Sequence, residues 1–182
     1  MKRALITIDY TVDFVEDNGA LTCGKPAQVI ERKISSITRE FIENGDFTVF
    51  ATDTHIEGDV HHPETTLFPP HNIAGTPGIE LYGELKNVFW ENKEKSNVYD
   101  MPKTRYSAFA GTDLDMKLRE RGITDVYLTG VCSDICVLHT AIDAYNLGYK
   151  ISVYKEAIAS FNQPGHEWAL GHFKDVLGAT IL

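Results

Sequence analysis

The sequence predicts an α/β fold, in which a single domain over residues 1–182 contains a doubly wound, mostly parallel six-stranded sheet with helices on both faces. Short apolar runs alternate along the chain with longer segments in which apolar residues recur at helical spacing. The short runs are apolar at consecutive positions, which is typical of parallel strands buried on both faces. No internal repeat or linker-like change in composition divides the chain.

The elements follow in order. The apolar run ALITI, at residues 4–8, predicts the first strand. Residues 26–44 predict a helix, because a proline lies in its first turn, apolar residues recur at helical spacing, and Gly45 ends the pattern. FTVFAT, at residues 47–52, predicts the second strand. The later strands are predicted at residues 88–91, 125–131, 150–154 and 179–182, and the later helices at residues 112–121, 134–147 and 165–177.

Composition and charge argue against several classes of function. The net charge of −9 disfavours a nucleic-acid partner, because such proteins need a basic surface to neutralise phosphates. No apolar run reaches the roughly 18–20 residues that span a membrane, so we expect no membrane partner. Asp9 and Asp13 interrupt the first apolar segment, which we interpret as a strand and not a signal peptide. The 3 cysteines do not suggest a disulfide framework, so we expect a cytoplasmic protein.

Polar or reactive residues lie where three predicted strands end. Asp9 follows the first strand, Asp53 follows the second, and the segment GVCSDICV follows the strand at residues 125–131. In parallel α/β sheets, ligands bind outside the carboxyl ends of the strands. One such aspartate could simply begin a turn, but the coincidence of several strand ends predicts a site at this edge.

The GVCSDICV segment places two cysteines four residues apart. Ser133 and Asp134 are good helix N-caps, which puts Cys136 in the first helical turn, where free N–H groups and the helix dipole favour a thiolate. Cys132 lies in the preceding turn, where backbone N–H groups can bind an oxyanion. Core packing is one alternative. A metal site with His139 and a redox pair are others, but the spacing fits neither a zinc hairpin nor Cys-x-x-Cys. The sequence favours Cys136 as a candidate nucleophile.

The long loop at residues 53–78 is rich in potential metal ligands. Asp53 and His55 are alternate residues of an extended strand end, so their side chains point the same way. The further potential ligands are Asp59, His61, His62, Glu64 and His71. Nitrogen and oxygen donors without a thiolate suit Zn²⁺, Mn²⁺, Fe²⁺ or Co²⁺. A polar surface loop is the alternative, but its prolines would stiffen it, and a metal site is the better hypothesis.

Lys103 lies between predicted elements, in the segment MPKTRYSAF. A lysine in a loop is usually solvated. It would gain a catalytic role only beside an aspartate and a cysteine, where its charge would stabilise a thiolate and an anionic intermediate.

These residues lie in three segments: ALITIDYTVDF, ATDTHIEGDVHHPETTLFPPHNIAGTPGIEL and KTRYSAFAGTDLDMKLRERGITDVYLTGVCSDICVLHTAIDAYNLGY. They contain the patterns PPH-x-x-x-GT-x-G, K-x-x-YSAF and GV-x-x-D-x-CV, in that order. The combination resembles the nicotinamidase/pyrazinamidase branch of the isochorismatase-like hydrolases, and the resemblance extends over nearly the whole chain.

The resemblance implies a catalytic triad of Cys136, Asp9 and Lys103. It also implies a cis peptide bond between Val131 and Cys132, and an oxyanion hole formed by the backbone N–H groups of Cys132 and Cys136. The positions that match the family's ring-binding pocket are Phe14, Phe68 and Tyr106.

The resemblance further implies one divalent metal, with Zn²⁺ as the first choice and Mn²⁺ or Fe²⁺ as alternatives. Three ligands match by position: Asp53, His55 and His71. The fourth ligand varies within the family, and we choose Glu64 here, with His61 or His62 as alternatives.

The activity implied is hydrolysis of nicotinamide to nicotinate and ammonia through a cysteine thioester, with the metal orienting the pyridine ring, in the salvage of NAD. We also expect deamidation of pyrazinamide, a small-molecule substrate as the main partner, and a homo-oligomer. A metal-independent relative acting on a linear amide or carbamoyl group is the first alternative, and the ligand-rich loop argues against it. A vinyl-ether hydrolase would lack the nucleophilic cysteine. A non-catalytic binding module would have lost a triad position, and all three are filled.

Overall fold

The computed structural model describes residues 2–182 and contains one six-stranded sheet in which every strand pair is parallel. The strands are β1 (Arg3–Ile8), β2 (Phe47–Asp53), β3 (Val98–Lys103), β4 (Asp125–Val131), β5 (Lys150–Ala159) and β6 (Thr180–Ile181). The helices are α1 (Val12–Val15), α2 (Lys25–Gln28), α3 (Glu31–Glu43), α4 (Gly83–Asn92), α5 (Leu114–Glu120), α6 (Cys136–Asn146) and α7 (Gln163–Asp175). The loop between β2 and α4 contains two short 3₁₀ turns, Pro63–Thr66 and Pro77–Ile79. These elements confirm the predicted fold class.

The strand order is β3-β2-β1-β4-β5-β6. The chain therefore builds outward from β1 through β2 to β3, and then crosses back to place β4 on the other side of β1. Ile8 pairs with Gly130 at the end of this switch. A crevice at the carboxyl ends of strands where the order reverses is the usual ligand site in such sheets.

Residues of the strands alternate between two cores, one on each face of the sheet. Ala4, Ile6 and Ile8 pack with buried residues of α5, α6 and α7. Leu5 packs on the opposite face, with buried residues of α2, α3 and α4. Because consecutive side chains of a strand point to opposite faces, a strand covered on both sides must be apolar throughout. The sheet is thus a rigid platform for the loops at its carboxyl edge.

The predicted strand at residues 88–91 is wrong, because these residues lie within α4. Leu85 and Val88 are buried in this helix, whereas Trp90 is 57% exposed. This pattern is the one-sided burial of an amphipathic helix, and the short apolar run by itself does not distinguish helix from strand.

The third strand is β3, in a segment where no strand was predicted. Its sequence, VYDMPK, contains a proline and two charged residues. β3 is an edge strand of the sheet, and an edge tolerates a proline because one side of the strand has no neighbour to receive a hydrogen bond.

The helix predicted at residues 26–44 is divided into α2 and α3. The other predicted helices correspond to α5, α6 and α7, with ends that differ by a few residues. Among the helices of residues 2–182, none has the length and apolar character needed to cross a bilayer.

Candidate active site

Asp9 lies directly after β1, at the carboxyl edge of the sheet. Its side chain is buried. One carboxylate oxygen, Oδ1, accepts a hydrogen bond of 2.7 Å from the backbone N–H of Asp53, and the other, Oδ2, lies 2.8 Å from Nζ of Lys103. The φ angle of Asp9 is +54°, which is uncommon for a residue other than glycine and is found mainly at functional sites. Asp9 is therefore held in one orientation by its two neighbours.

Lys103 ends β3 and pairs with Asp53 across the β2–β3 ladder. Its side chain is fully buried. Nζ donates hydrogen bonds to the backbone oxygen of Arg105 at 3.0 Å and to Oδ1 of Asp53 at 3.5 Å. Because Lys103 belongs to a strand and not to a free loop, the sheet itself carries it to Asp9. The structure thus places Lys103 beside Asp9, a proximity that the sequence by itself could not show.

Charges within this cluster shift two pKa values in ways that matter for proton transfer. Burial is the main reason why the pKa of Asp9 is raised to about 6, and the Lys103 ammonium limits the rise. Burial by itself would lower the pKa of Lys103, but the Asp9 carboxylate and other negative groups outweigh it and raise that pKa above its ordinary value. At neutral pH, therefore, Lys103 is a cation and Asp9 is a carboxylate that is ready to accept a proton.

Cys136 is the first residue of α6 and is buried beside Asp9 and Lys103. Burial raises the pKa of its thiol, the Lys103 ammonium lowers it, and the Asp9 carboxylate raises it again, so that the pKa stays well above the ordinary value. Burial therefore opposes the thiolate that the start of a helix would favour. Cys136 rests as a thiol and needs a base to remove its proton.

The predicted caps of α6 have a different role. The helix is preceded by Ile135, and no side chain caps its N-terminus. Oγ of Ser133 instead lies 2.8 Å from Nδ1 of His166, and Oδ2 of Asp134 accepts a hydrogen bond of 3.1 Å from Asn162. Both residues tie the turn before Cys136 to the beginning of α7, and they leave the first N–H groups of α6 free of side-chain acceptors.

The peptide bond between Val131 and Cys132 is cis, as the resemblance implied. The sulfur of Cys132 lies 3.0 Å from that of Cys23. Its hydrogen bond to Cys23, together with burial, raises the pKa of the Cys132 thiol well above the ordinary value. The sulfur of Cys132 thus contacts Cys23, whereas the thiol of Cys136 lies beside the Asp9 carboxylate, which can accept its proton.

The structure brings four potential metal ligands together, one donor atom from each lying within 4.8 Å of all the others. They are Asp53, His55, Glu64 and His71. Asp53 ends β2, His55 lies two residues beyond it, Glu64 is in the first 3₁₀ turn, and His71 follows two prolines. Two imidazoles and two carboxylates form a donor set that suits a divalent transition metal.

The distances within the cluster are consistent with a metal site. Nε2 of His55 lies 2.6 Å from Oδ2 of Asp53, and Nε2 of His71 lies 3.6 Å from the same oxygen and 3.7 Å from Oε2 of Glu64. Nδ1 of His71 donates to the backbone oxygen of Pro69 at 2.8 Å, which directs Nε2 into the cluster. Within residues 2–182, this buried Nε2 has no hydrogen-bond partner. An imidazole oriented in this way is suited to bind a cation.

Negative charge dominates the cluster. Burial by itself lowers the pKa of His71, but the nearby carboxylates of Asp53 and Glu64 outweigh it and raise that pKa to about 10. Burial raises the pKa of Asp53, whereas Lys103, His55 and His71 lower it by more, so the net pKa lies below its usual range. Asp53 is therefore ionised, and the site attracts positive charge.

His61 and His62, the alternative fourth ligands, do not join the cluster. His61 is exposed. Nδ1 of His62 accepts a hydrogen bond of 3.3 Å from the backbone N–H of Glu64, and its Nε2 donates to the backbone oxygen of Thr104 at 2.7 Å. Since both ring nitrogens of His62 are engaged, geometry favours Glu64 as the fourth ligand.

One cavity is lined by the candidate nucleophile Cys136 and by two potential metal ligands, Asp53 and Glu64. The other two, His55 and His71, line a second pocket that shares Glu64 and Phe68 with the first. The lining residues of the first cavity are Phe14, Leu21, Asp53, Glu64, Phe68, Tyr106, Cys132, Ile135, Cys136 and Phe161. All three predicted pocket residues, Phe14, Phe68 and Tyr106, are among them. Leu21 and Phe161 were missed, because they lie in segments with no recognisable motif, and Ile135 was missed although its neighbours were singled out.

The chain matches the isochorismatase domain model over residues 3–182. It is 61% identical over 181 residues, covering 100% of this chain and 99% of the relative, to a Bacillus subtilis (strain 168) protein named "Uncharacterized isochorismatase family protein PncA". The fold superposes with a TM-score of 0.99 on the crystal structure of "nicotinamidase/pyrazinamidase PncA from Bacillus subtilis", at 61% identity and covering 100% of this chain and 99% of that one. A pyrazinamidase of Pyrococcus horikoshii in complex with zinc gives a TM-score of 0.86 at 30% identity, with 100% and 99% covered.

Proposed function

The chain belongs to the isochorismatase family, and we propose that it is a nicotinamidase that hydrolyses nicotinamide to nicotinate and ammonia and thereby serves the salvage of NAD. The observation that carries this proposal is one cavity that is lined both by Cys136 and by two of the four potential metal ligands, Asp53 and Glu64. The name of the Bacillus subtilis structure, which is 61% identical, supports the same substrate and adds pyrazinamide. A small aromatic carboxamide is therefore the substrate class.

The covalent step uses the three buried charged and reactive groups. Asp9 accepts the proton of the Cys136 thiol as the sulfur attacks the amide carbon, which its raised pKa of about 6 allows. Lys103 stays protonated and offsets the negative charge of the Asp9 carboxylate and of the sulfur. The backbone N–H groups of Cys132 and Cys136 bind the tetrahedral oxyanion.

The remaining steps return the proton and release the acid. Asp9 donates its proton to the departing nitrogen, so that the C–N bond breaks, ammonia leaves and a nicotinoyl thioester stays on Cys136. Water then attacks the thioester carbon while Asp9 takes a proton from it, the C–S bond breaks, and Asp9 returns that proton to the Cys136 sulfur; the acid leaves and ionises to nicotinate. One base thus serves both halves of the reaction.

The residues that would hold the metal are Asp53, His55, Glu64 and His71. A metal held there would supply positive charge that orients and polarises the pyridine ring of the substrate. We propose Zn²⁺ as the ion, because the donors are two imidazoles and two carboxylates and because the Pyrococcus horikoshii pyrazinamidase is a zinc complex. Mn²⁺ and Fe²⁺ are the alternatives that the same donors accept.

Aromatic side chains would hold the ring between the metal and the sulfur. Phe14 and Phe68 both lie near His71, with ring centroids 5.4 Å and 6.2 Å from the centroid of the imidazole. Tyr106 lines the cavity. A cavity lined mainly by apolar and aromatic side chains, with two potential metal ligands among them, suits a pyridine ring better than a linear amide.

We also propose a cytoplasmic location, since all 3 cysteines of residues 2–182 are free thiols. A homo-oligomer stays a prediction from the family resemblance. The net charge of −9 continues to argue against a nucleic-acid partner.

The test of the substrate is ammonia release by the purified, zinc-loaded protein from nicotinamide, from pyrazinamide and from a linear amide of similar size. We expect turnover of the two ring amides, little turnover of the linear amide, and loss of activity after chelation that added Zn²⁺ restores. Preferential turnover of the linear amide, unchanged by the chelator, would favour the metal-independent amidase.

A further inference from the structure

Asn72 follows His71 and is fully buried. Its φ angle is +44°, in the left-handed region, which asparagine adopts more readily than most other residues. Its backbone N–H donates a hydrogen bond of 2.7 Å to Oδ2 of Asp13, and its backbone oxygen accepts one of 3.0 Å from the N–H of His55. Both backbone polar groups are thus used.

Both ends of the Asn72 side chain are used as well. Nδ2 donates a hydrogen bond of 3.0 Å to the backbone oxygen of Asp53, and Oδ1 accepts one of 2.9 Å from the hydroxyl of Thr11. The carbonyl oxygen of Asp53 can only accept, so the amide nitrogen must face it. This orientation of the amide is therefore fixed by its partners.

The partners of Asn72 fall into two groups. Asp53 and His55 are two of the proposed metal ligands, and His71, the third, is covalently attached to Asn72. Thr11 and Asp13 belong to the segment directly after Asp9. One buried residue therefore joins the main chain of three metal ligands to the strand end that carries the base.

We infer that Asn72 is a positioning residue of the metal site, which sets metal affinity by holding the main chain of Asp53, His55 and His71 while it contacts neither the metal nor the substrate. The inference rests on the proposed metal site and extends it to a residue outside the ligand set. Partners that orient metal ligands in this way typically change metal affinity by about 10–100-fold when they are removed.

Replacement of Asn72 by aspartate, leucine or glycine would disrupt this arrangement in different ways. Aspartate would place an oxygen against the Asp53 carbonyl oxygen, and leucine would leave two buried polar groups unpaired and resist the positive φ angle. Glycine accepts the φ angle but removes both side-chain hydrogen bonds. Asn72→Gly therefore separates loss of the hydrogen bonds from backbone strain.

The experiment is titration of metal-free protein with Zn²⁺ against a competing chelator, with Co²⁺ absorption bands as a second readout of ligand geometry. We expect Asn72→Gly to weaken Zn²⁺ binding by about 10–100-fold and to alter the Co²⁺ spectrum. Thr11→Val removes only the hydroxyl that holds Oδ1 of Asn72, so it should weaken binding by a smaller factor. It also provides a second test if the glycine variant does not fold.

Asn146→Gly is the matched control, because Asn146 is exposed and lies at the other end of α6 from Cys136. It should leave both metal readouts unchanged. If wild type binds Zn²⁺ and the Asn72 and Thr11 variants bind it equally well, the role of Asn72 is overturned and the proposed function stands. If wild type binds no divalent metal, the proposed metal site is overturned and the role of Asn72 with it.

Discussion

Asp53 connects the two halves of the site. Oδ2 of its carboxylate lies 2.6 Å from Nε2 of His55, and Oδ1 lies 3.5 Å from Nζ of Lys103. Its backbone N–H donates to Asp9 at 2.7 Å. Because one residue touches both a proposed metal ligand and two members of the proposed triad, the metal cluster and the nucleophile form one electrostatic unit.

The pKa of Asp9 predicts an acid limb in the pH profile of activity. The base must be ionised to accept the Cys136 proton, and its pKa is raised to about 6. We therefore expect kcat/KM for nicotinamide to fall as the pH drops through about 6, because the protonated carboxyl cannot act as a base. Metal content measured at each pH is the control, since the metal ligands also bind protons. A profile that stays flat from neutral pH well below this value, with full metal content, would exclude Asp9 as the base.

Lys103→Met should destabilise the protein as well as inactivate it. The change leaves the buried carboxylates of Asp9 and Asp53 without their cation, and breaking a buried pair in this way costs about 3–5 kcal/mol of unfolding free energy. Chemical denaturation measures the loss. Lys86→Met is the control, because its partner Glu80 is exposed and such surface pairs contribute about 0–1 kcal/mol. Equal losses of unfolding free energy in the two variants would show that the buried ion pairs of Lys103 do not stabilise the protein more than a surface pair does.

At the scale of elements, the site is built from the carboxyl ends of strands that lie next to one another. β1 supplies Asp9, β2 supplies Asp53, β3 supplies Lys103, and the turn after β4 supplies Cys132 and Cys136. The two cores below these strands fix their register. Asp9, Asp53 and Lys103 are thus positioned by the ends of three adjacent strands of the sheet.

Close contact between β1 and β4 depends on Gly130. A Cβ atom at this position would lie 1.9 Å from the backbone oxygen of Ile8, and the φ angle is +118°. We expect Gly130→Ala to lower the unfolding free energy by well over 1 kcal/mol, because it adds both a clash and backbone strain. Thermal or chemical unfolding of the variant and of wild type measures this loss of unfolding free energy. Gly171→Ala is the control, because Gly171 lies within α7 and a Cβ atom added there would meet no other atom within 4 Å. It should instead stabilise the protein by up to about 1 kcal/mol. A neutral Gly130→Ala variant would contradict this packing.

The sequence predicted the elements and residues that follow from local pattern. β1, β2 and β4 were found because consecutive apolar residues mark buried strands, and Asp9 and Asp53 followed as their ends. The sequence did not predict β3, because the edge strand VYDMPK tolerates polar residues. It did not predict α4 either, because the apolar run of this helix is too short to show a helical period.

Other features of the site depend on tertiary contacts that no local pattern carries. The choice of Glu64 over His62 as the fourth ligand depends on the hydrogen bonds of His62 to Thr104 and to the Glu64 backbone, which the sequence does not show. The raised pKa of the Cys136 thiol depends on burial, which only the folded chain shows. The roles of these residues in metal binding and catalysis stay predictions until they are measured.

At the scale of the whole molecule, the metal should also stabilise the fold. The four proposed ligands come from separate places along residues 53–71, so the unfolded chain offers no preformed site. A metal at 1,000 times its dissociation constant adds about 4 kcal/mol to the unfolding free energy by mass action. We expect Zn²⁺ to raise the Tm of chelator-treated wild type and to leave that of His71→Ala almost unchanged. An equal rise in both proteins would mean that the metal binds elsewhere.

The most direct test of the proposed mechanism is the rate of ammonia release from nicotinamide by Cys136→Ala, compared with wild type at equal metal content. We expect the variant to keep its metal and to lose turnover by several orders of magnitude, because the attacking sulfur is absent while the proposed metal ligands are intact. Turnover close to that of wild type would contradict a covalent mechanism at Cys136.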